Sequence, residues 1–489
     1  MSKNQSNAAT LEIAALTKIQ AKLHSSSNKS DVVSSPFTYE FRKRSWYVQV
    51  TDELSQVPSD DHTTFTASDK YDFISHTYLT VNIPEIEVKA PKAMRIRFPR
   101  NPANHLIKSV ELRFNDTTIQ TFDPESLDDW VHYFVAPGKR DLLNRIIGNT
   151  YYYQTWSKKL PSSEIGLPLP FFSGNGTAIP LFYSTLSKVS YRCVFKKDLS
   201  KLIMMMVRTK KAKSEAEKDT WKRTPFNLDY LKPGNLNFGK FRMWGRYSVI
   251  TDEEREWRKN SDPLKILVEN FETIRHGLDP QPSGKTVSIK LSSSNPVTFL
   301  TWKARHTRSM ELNDYSNYTT SHHDSDRGWN PIESSYIQHT GNPRDQTKSS
   351  IHSECFEPYF HTRTCSQENG YNCKSFSRLS HSRDVQSGCV FDRIDPILMI
   401  KIGSTDPYLA KSKLTMNGMP SNGTSSDGKI NSSTMVIAIN DISISTPSTT
   451  ESNDLYEIIL RARSTRIVTI SKNGMSLSEI WTKINSKIR

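Results

Sequence analysis

Long apolar runs are missing from this chain of 489 residues. The longest, Leu202 to Val207, is far below the roughly 20 residues that a spanning helix needs, so an integral membrane protein is not expected. No apolar block follows the first methionine, and a secretory signal is not expected either. Glycine is scarce, at 19 residues. The glycine-rich phosphate loop, the GxSxG nucleophile elbow and the HExxH zinc pair are all absent from the sequence. Hydrophobic residues amount to only 35%, yet aromatics reach 10%, which argues against wholesale disorder.

Positive charge is in excess. Lys and Arg number 65 against 51 Asp and Glu, a net charge of +14. That balance favours contact with a polyanion, whether nucleic acid, anionic lipid or an acidic protein. The densest stretch runs from Lys201 to Arg223, where Lys201, Arg208, Lys210, Lys211, Lys213, Lys218, Lys222 and Arg223 oppose Glu215, Glu217 and Asp219. It reads as a solvated loop, with a polyanion site as the alternative. Phe241 to Arg246 faintly interleaves aromatic and basic residues as a nucleic-acid platform does, but Trp244 and Trp302 read as core.

Five cysteines are present. Cys193 sits in a strand pattern and reads as core. Cys355, Cys365, Cys373 and Cys389 lie in the same region as His352, His361 and His381, the donor types that zinc takes. No CxxC pair pins two ligands on one turn. Zinc, a disulfide and ordinary loop residues in a reducing compartment all remain, and the last is preferred. No catalytic, cofactor-binding or metal-ligating residue is assigned. Sequons at Asn4, Asn28, Asn115, Asn175, Asn317, Asn422 and Asn431 read as chance in an Asn- and Ser-rich chain.

The length suits about three domains, or two large all-β ones. Residues 1–35 read as an N-terminal arm with one short amphipathic helix from Thr10 to Leu23. From Phe37 onward, short β-branched and aromatic runs alternate with turn residues. They include Phe37 to Val50, Ile74 to Ile83, Ile107 to Phe114, Ser187 to Phe195, Phe241 to Ile250, Val297 to Trp302, Ile397 to Ile402 and Thr434 to Ile444. Helical pattern is confined to Leu127 to Phe134, Asp141 to Ile147, and Asp252 to Ile274 with an interruption at Pro263. Asp279 to Gly284 reads as a linker. The expected division is therefore 36–278, a linker at 279–284, and 285–489 with long polar loops over about 306–390. Val110, Leu112, Val297, Phe299, Leu300, Trp302 and Ile470 are the expected core.

Several of these segments together resemble one family. Phe73 to Val81 followed by Ile83-Pro84, His105 to Leu112, Trp130, Ile146 to Asn149, Leu167 to Phe172 with Ala178 to Leu181, and Trp244 to Trp257 are similar to first-domain signatures of the major capsid proteins of nucleocytoplasmic large DNA viruses. These are the iridovirus, phycodnavirus and asfarvirus types. Asn295 to Trp302, Leu414 to Gly418 and Arg466 to Leu477 resemble second-domain segments, in the family's order. The chain departs from the pattern at Lys201 to Pro225, which looks like an enlarged loop, and at Asn440 to Ser452, which is only loosely similar. The resemblance implies two tandem eight-stranded jelly rolls, all-β, with short helices and long loops. It further implies homotrimers of pseudo-hexameric outline that tile an icosahedral shell, so the chain is expected in the virion, assembled in the host cytoplasm. Contacts are expected with further copies, with minor capsid proteins and, through the arm, with an inner viral membrane. No enzyme activity, cofactor or specific nucleic acid is expected. A trimeric scaffold or minor-capsid paralogue is the alternative, and a basic nucleic-acid-binding protein a further one.

Overall fold

The computed structural model describes residues 48–171, 178–183, 188–196, 198–210, 219–232, 237–260, 263–274, 279–322, 328–339, 342–343, 346–377, 388–403, 454–471 and 474–478. The arm with its expected helix, the expected strand Thr434 to Ile444 and the Leu414 to Gly418 turn lie outside those residues, as does His381.

The first half holds β1 (Val48–Glu53), β2 (Ser55–Pro58), β3 (Thr63–Thr66), β4 (Phe73–Ile83), β5 (Met94–Arg97), β6 (Ile107–Phe114), β7 (Thr117–Phe122), β8 (Ser163–Leu169), β9 (Val189–Phe195), β10 (Met204–Lys210), β11 (Thr220–Thr224) and β12 (Arg242–Val249). Between β7 and β8 lie α1 (Pro124–Tyr133), α2 (Arg140–Ile146) and a single helical turn at Tyr151–Gln154, and α3 (Asp252–Asn260) follows β12. One sheet runs β1-β12-β4-β8 and a second β2-β3-β9-β6-β7, every pair antiparallel. Alternation makes the sandwich. Leu79, Val81 and Ile83 of β4 point to the same side as Met243 of β12, and share a core with Val110, Leu112 and Phe114 of β6. The β6–β7 hairpin turns through Asn115, whose φ of 53° is the left-handed region that Asn tolerates.

A third sheet, β11-β10-β5, lies beside them. It replaces the loop expected over Lys201 to Arg223. Met205 and Val207 face Ile96 and the core, so the apolar pattern of the run defines a strand even where lysines crowd its end.

The second half holds β13 (Leu264–Thr273), β14 (Thr286–Lys290), β15 (Val297–His306), β16 (Ile332–His339), α4 (Glu357–His361), β17 (Asn372–Ser375), β18 (Ile397–Ile402), β19 (Leu455–Ser471) and β20 (Gly474–Ser478). Its sheets run β13-β19-β15-β17, with β20 on β19, and β14-β18-β16. The helix expected to continue to Ile274 ends at Asn260. Leu264 to Thr273 alternates Ile266, Val268 and polar residues at period two, and pairs along its whole length with β19. The change of sheet thus falls ahead of Leu264, upstream of the linker expected at Asp279 to Gly284, where Gln281–Pro282 itself pairs with β19. The stretch 306–390, expected as loops, contributes β16 and β17 to the sheets, and Asn313 to Thr319 is buried rather than solvated.

All seven expected core residues are buried, none more than 3% exposed. Cys193 is fully buried too.

Candidate functional site: an ionic seam between the halves

β15 is buried at every one of its ten positions, which a strand with one wet face never is. Its even-numbered side chains Leu300, Trp302 and Ala304 enter the core of the second half, shared with Ile400 of β18 and Ile337 of β16. The odd-numbered ones turn to the first half. Phe299 joins the first-half core, 5.2 Å from Tyr133 and 5.4 Å from Phe134 between ring centroids. Thr301, Lys303 and Arg305 meet α1.

The start of α1 is acidic by construction. Asp123 caps it, accepting from Ser126 N at 2.8 Å while Ser126 Oγ accepts from Asp123 N, and Pro124 occupies the first turn. Behind the cap come Glu125, Asp128 and Asp129. Opposite stand Lys303 and Arg305 of β15 and Arg461 of β19. Lys303 Nζ donates to Asp129 Oδ1 at 2.8 Å and Thr301 Oγ1 to Asp129 Oδ2 at 2.7 Å. Arg305 lies 3.2 Å from Glu125 and 2.8 Å from Glu457. Arg461 Nη2 lies 2.6 Å from Asp123. The Lys303 side chain is 1% exposed and Asp129 0%, so neither charge has water, and each is held by the other half of the molecule. The Lys303 ammonium also sits 4.5 Å over the Tyr318 ring.

Asp128 is the centre of a second, neutral-partner cluster. Its Oδ1 accepts from Asn101 at 2.9 Å and Asn104 at 2.8 Å; its Oδ2 accepts from Ser316 at 2.7 Å and Tyr318 at 3.2 Å. Burial lifts its carboxyl to about 6, against the pull of Lys303 and these donors. His105 Nε2 is 2.7 Å from Ser316 Oγ. Because Ser316 gives its own proton to Asp128, the imidazole donates, and burial holds it well below its usual range and neutral. Lys196, beside Tyr315, is pushed down to about 8 by burial. Gly370, at φ +92°, passes so close to the Tyr318 carbonyl that no Cβ fits there.

Ser316, His105 and Asp128 are the residue types of a hydrolytic triad, but the aspartate binds the serine rather than the far imidazole nitrogen. All three are 1% exposed or less. They form a fixed hydrogen-bond chain, with no open nucleophile. A cavity of about 40 Å³ near Trp302, Tyr336, His352, Glu357 and Cys373 has room for a water, not a substrate.

Burial pushes the Cys355 and Cys373 thiols up, and the structure brings Cys365 near enough to both to help. Cys373 is buried, Cys355 exposed, Cys365 and Cys389 half-buried, and all are free thiols. His306 is buried against Asp454 and the His322 ring. Among the described residues no group of three metal-capable side chains forms. Asn317 is 1% exposed and bonded to Asp314, which closes that sequon to a glycan. Phe241 stacks on Phe195 at 3.9 Å, whereas Trp244, expected as core, is half-buried on the side of β12 opposite Met243 and donates to Thr80.

No family model matches the chain. Among curated proteins, the major capsid protein of Lymphocystis disease virus 1 (isolate Darai) is 24% identical over 393 residues, 76% of this chain and 82% of that one. The major capsid protein of Tipula iridescent virus is 20% identical over 464 residues, 90% of this chain and 96% of that one. The chain's homologues are the major capsid proteins of iridoviruses and ascoviruses. Two solved structures carry the fold. The PBCV-1 virus capsid model superposes with a TM-score of 0.61 at 15% identity, covering 90% of this chain and 99% of that one. The Faustovirus major capsid protein gives 0.62 at 9% identity, covering 89% and 92%. The fold of these structures is the double jelly roll that the resemblance implies, and the seam is where its two rolls meet.

The strands were legible in the sequence, but the seam was not. One signal could have revealed it: Lys303 and Arg305 interrupt an otherwise apolar strand pattern, as buried charges with a committed partner do.

Proposed function

We propose that this chain is the major structural protein of an icosahedral viral shell, working as homotrimers of pseudo-hexameric outline. The likeness to capsid proteins along nearly the whole chain carries the capsid role. The trimer is supported by the seam. Two rolls fixed rigidly to each other give each chain two similar units at a set angle, and three chains so built make a six-cornered block. Minor capsid proteins and an inner membrane are the proposed partners on the inner side, with residues 1–35 as the contact; assembly takes place in the host cytoplasm. We place the division between the rolls at 260–264, between α3 and β13, because β13 pairs with β19. The segments 307–311 and 346–368 are the parts of the second roll proposed to face outward.

Sedimentation and negative-stain imaging of the purified protein test this reading. Trimers with a hexagonal outline are expected. A stable monomer that binds duplex DNA without sequence preference would overturn it in favour of a nucleic-acid protein; trimers absent from mature particles would make it a scaffold. Deleting residues 1–30 should leave trimers intact and impair shell formation.

A further inference from the structure

The two rolls match strand for strand. In chain order and in place, β1, β12, β4 and β8 of the first correspond to β13, β19, β15 and β17 of the second, and β3, β9 and β6 to β14, β18 and β16. The short strands Asn342–Pro343 and Lys348–Ser349 pair with β16 as β7 pairs with β6. The connection from β7 to β8 carries α1. Its counterpart in the second roll carries one unbroken helical stretch, residues 350–361, in which a π turn at His352–Phe356 runs into α4.

That helix is inside out. Its acids point inward: Glu354 accepts from Gly370 N at 2.6 Å and from Asn330 Nδ2 at 3.2 Å, and Glu357 accepts from Ser375 N at 2.8 Å. Its apolar residues point outward. Tyr359 is 72% exposed and Phe360 64%, and Ile351 and Phe356 are exposed beside them. The wide π turn sets Ile351 and Phe356 on one face, and the α turn after it brings Tyr359 and Phe360 round to the same face. An apolar patch of this kind, on the order of 500 Å² at the usual size of such side chains, marks a contact surface.

A sheet face is open as well. Within the chain, α1 covers the outward side of β15 and β19 at Thr301, Lys303 and Arg461. The matching side of the first roll is the outward face of β4 and β12. There His76, Asn82, Arg242 and Arg246 are exposed, and Tyr78 and Trp244, directly paired, are half-buried.

We propose that helix 350–361 of one copy lies with its aromatic side across this sheet face of a second copy, repeating between chains the seam that α1 makes within one. The proposal rests on the trimer reading above and names its contact. Rings on the helix meet Tyr78 and Trp244, and Arg242 and Arg246 present cations to ring faces. The helix supplies more than half of the about 800 Å² that each partner of a stable interface buries. The contact is head to tail. Each chain carries one of each surface, and three chains that repeat the step from roll to roll close a ring. The helix keeps its place in the outward segment and turns its rings sideways, along the shell.

Sedimentation of the full chain over a range of concentrations tests it. Tyr359→Ser with Phe360→Ser, and separately Arg242→Glu with Arg246→Glu, should each raise the concentration needed for trimers by about tenfold or more. All four residues are exposed, so neither change disturbs a core. Leu228→Ser, at an apolar residue 51% exposed outside both surfaces, should leave assembly as it was. A mixture of the two double variants keeps one intact contact per pair, so it should form dimers that neither forms alone, and no closed ring. Undiminished trimers in either double variant, an equal loss in Leu228→Ser, or no pairing in the mixture would overturn the proposal and leave the trimer standing. A wild-type chain that stays monomeric would overturn both.

Discussion

Two helices in this protein begin with clustered acid, and they are built for different surroundings. α1 reads Pro-Glu-Ser-Leu-Asp-Asp and buries Asp128 and Asp129 completely. α3 reads Asp-Glu-Glu-Arg-Glu and buries none of its residues. In α3 the acids are met within the helix, Arg255 by Asp252 and Lys259 by Glu256 three residues apart, with Arg255 also reaching Asp72. In α1 every acid is met from the other roll or from a loop folded over it. The same composition makes a solvated helix in one place and an inter-domain bolt in the other. What differs is the surface opposite: β15 and β19 bring Lys303, Arg305 and Arg461 to α1, whereas among the described residues α3 leans on Phe73 and Tyr183 and meets no strand of basic residues.

The largest test removes one charge from the bolt. Lys303→Met should destabilise the protein by about 3 to 5 kcal/mol, because Asp129 is left buried without its counter-charge. Adding Asp129→Asn to it should recover much of that loss. Chemical denaturation of the three variants measures both effects, and full additivity would mean the pair is not coupled.

Trp302→Ala probes the other face of the same strand. At 3% exposure its truncation should cost about 3 to 5 kcal/mol. The loss falls on the second roll's own core rather than on the seam. Wild-type-like thermal unfolding would remove Trp302 from that core.

A smaller effect separates the seam by pH. Folding raises the Asp128 carboxyl to about 6, above its value of about 3.9 in an unfolded chain. The folded state therefore binds the proton more tightly. The stabilisation is fully present below about pH 4 and is lost as pH rises through 6. Between pH 7.5 and 5 the wild type should gain about 1 kcal/mol relative to Asp128→Asn. Parallel pH–stability curves would show that the four donors around Asp128 hold it charged throughout.

The smallest is on α3. Glu256→Gln breaks an exposed pair with Lys259 and should change stability by less than about 0.5 kcal/mol. A loss of the size seen at Lys303 would mean that α3, too, is covered in the assembled state.

The sequence by itself determined the strands of both rolls, because period-two alternation of β-branched and aromatic residues needs only local information. Ile107–Phe114 and Ile397–Ile402 have the bounds that their patterns predict. The capping box of α1 is equally local. Tertiary structure decided whatever depends on a second surface. Leu264–Thr273 carries apolar residues that serve a short helix or a strand, and pairing with β19 chose the strand. Lys201 to Arg223 looked like a loop because its charges were counted, not its faces; β5 supplied the neighbour that made it a sheet. Asp128, Asp129, Lys303 and Arg305 are separated along the chain by more than the whole of the first roll's last strands. Their charges become a structural element only when the two rolls meet and exclude water, since an ion pair gains its hold on geometry from the low-dielectric contact that neither segment can make alone.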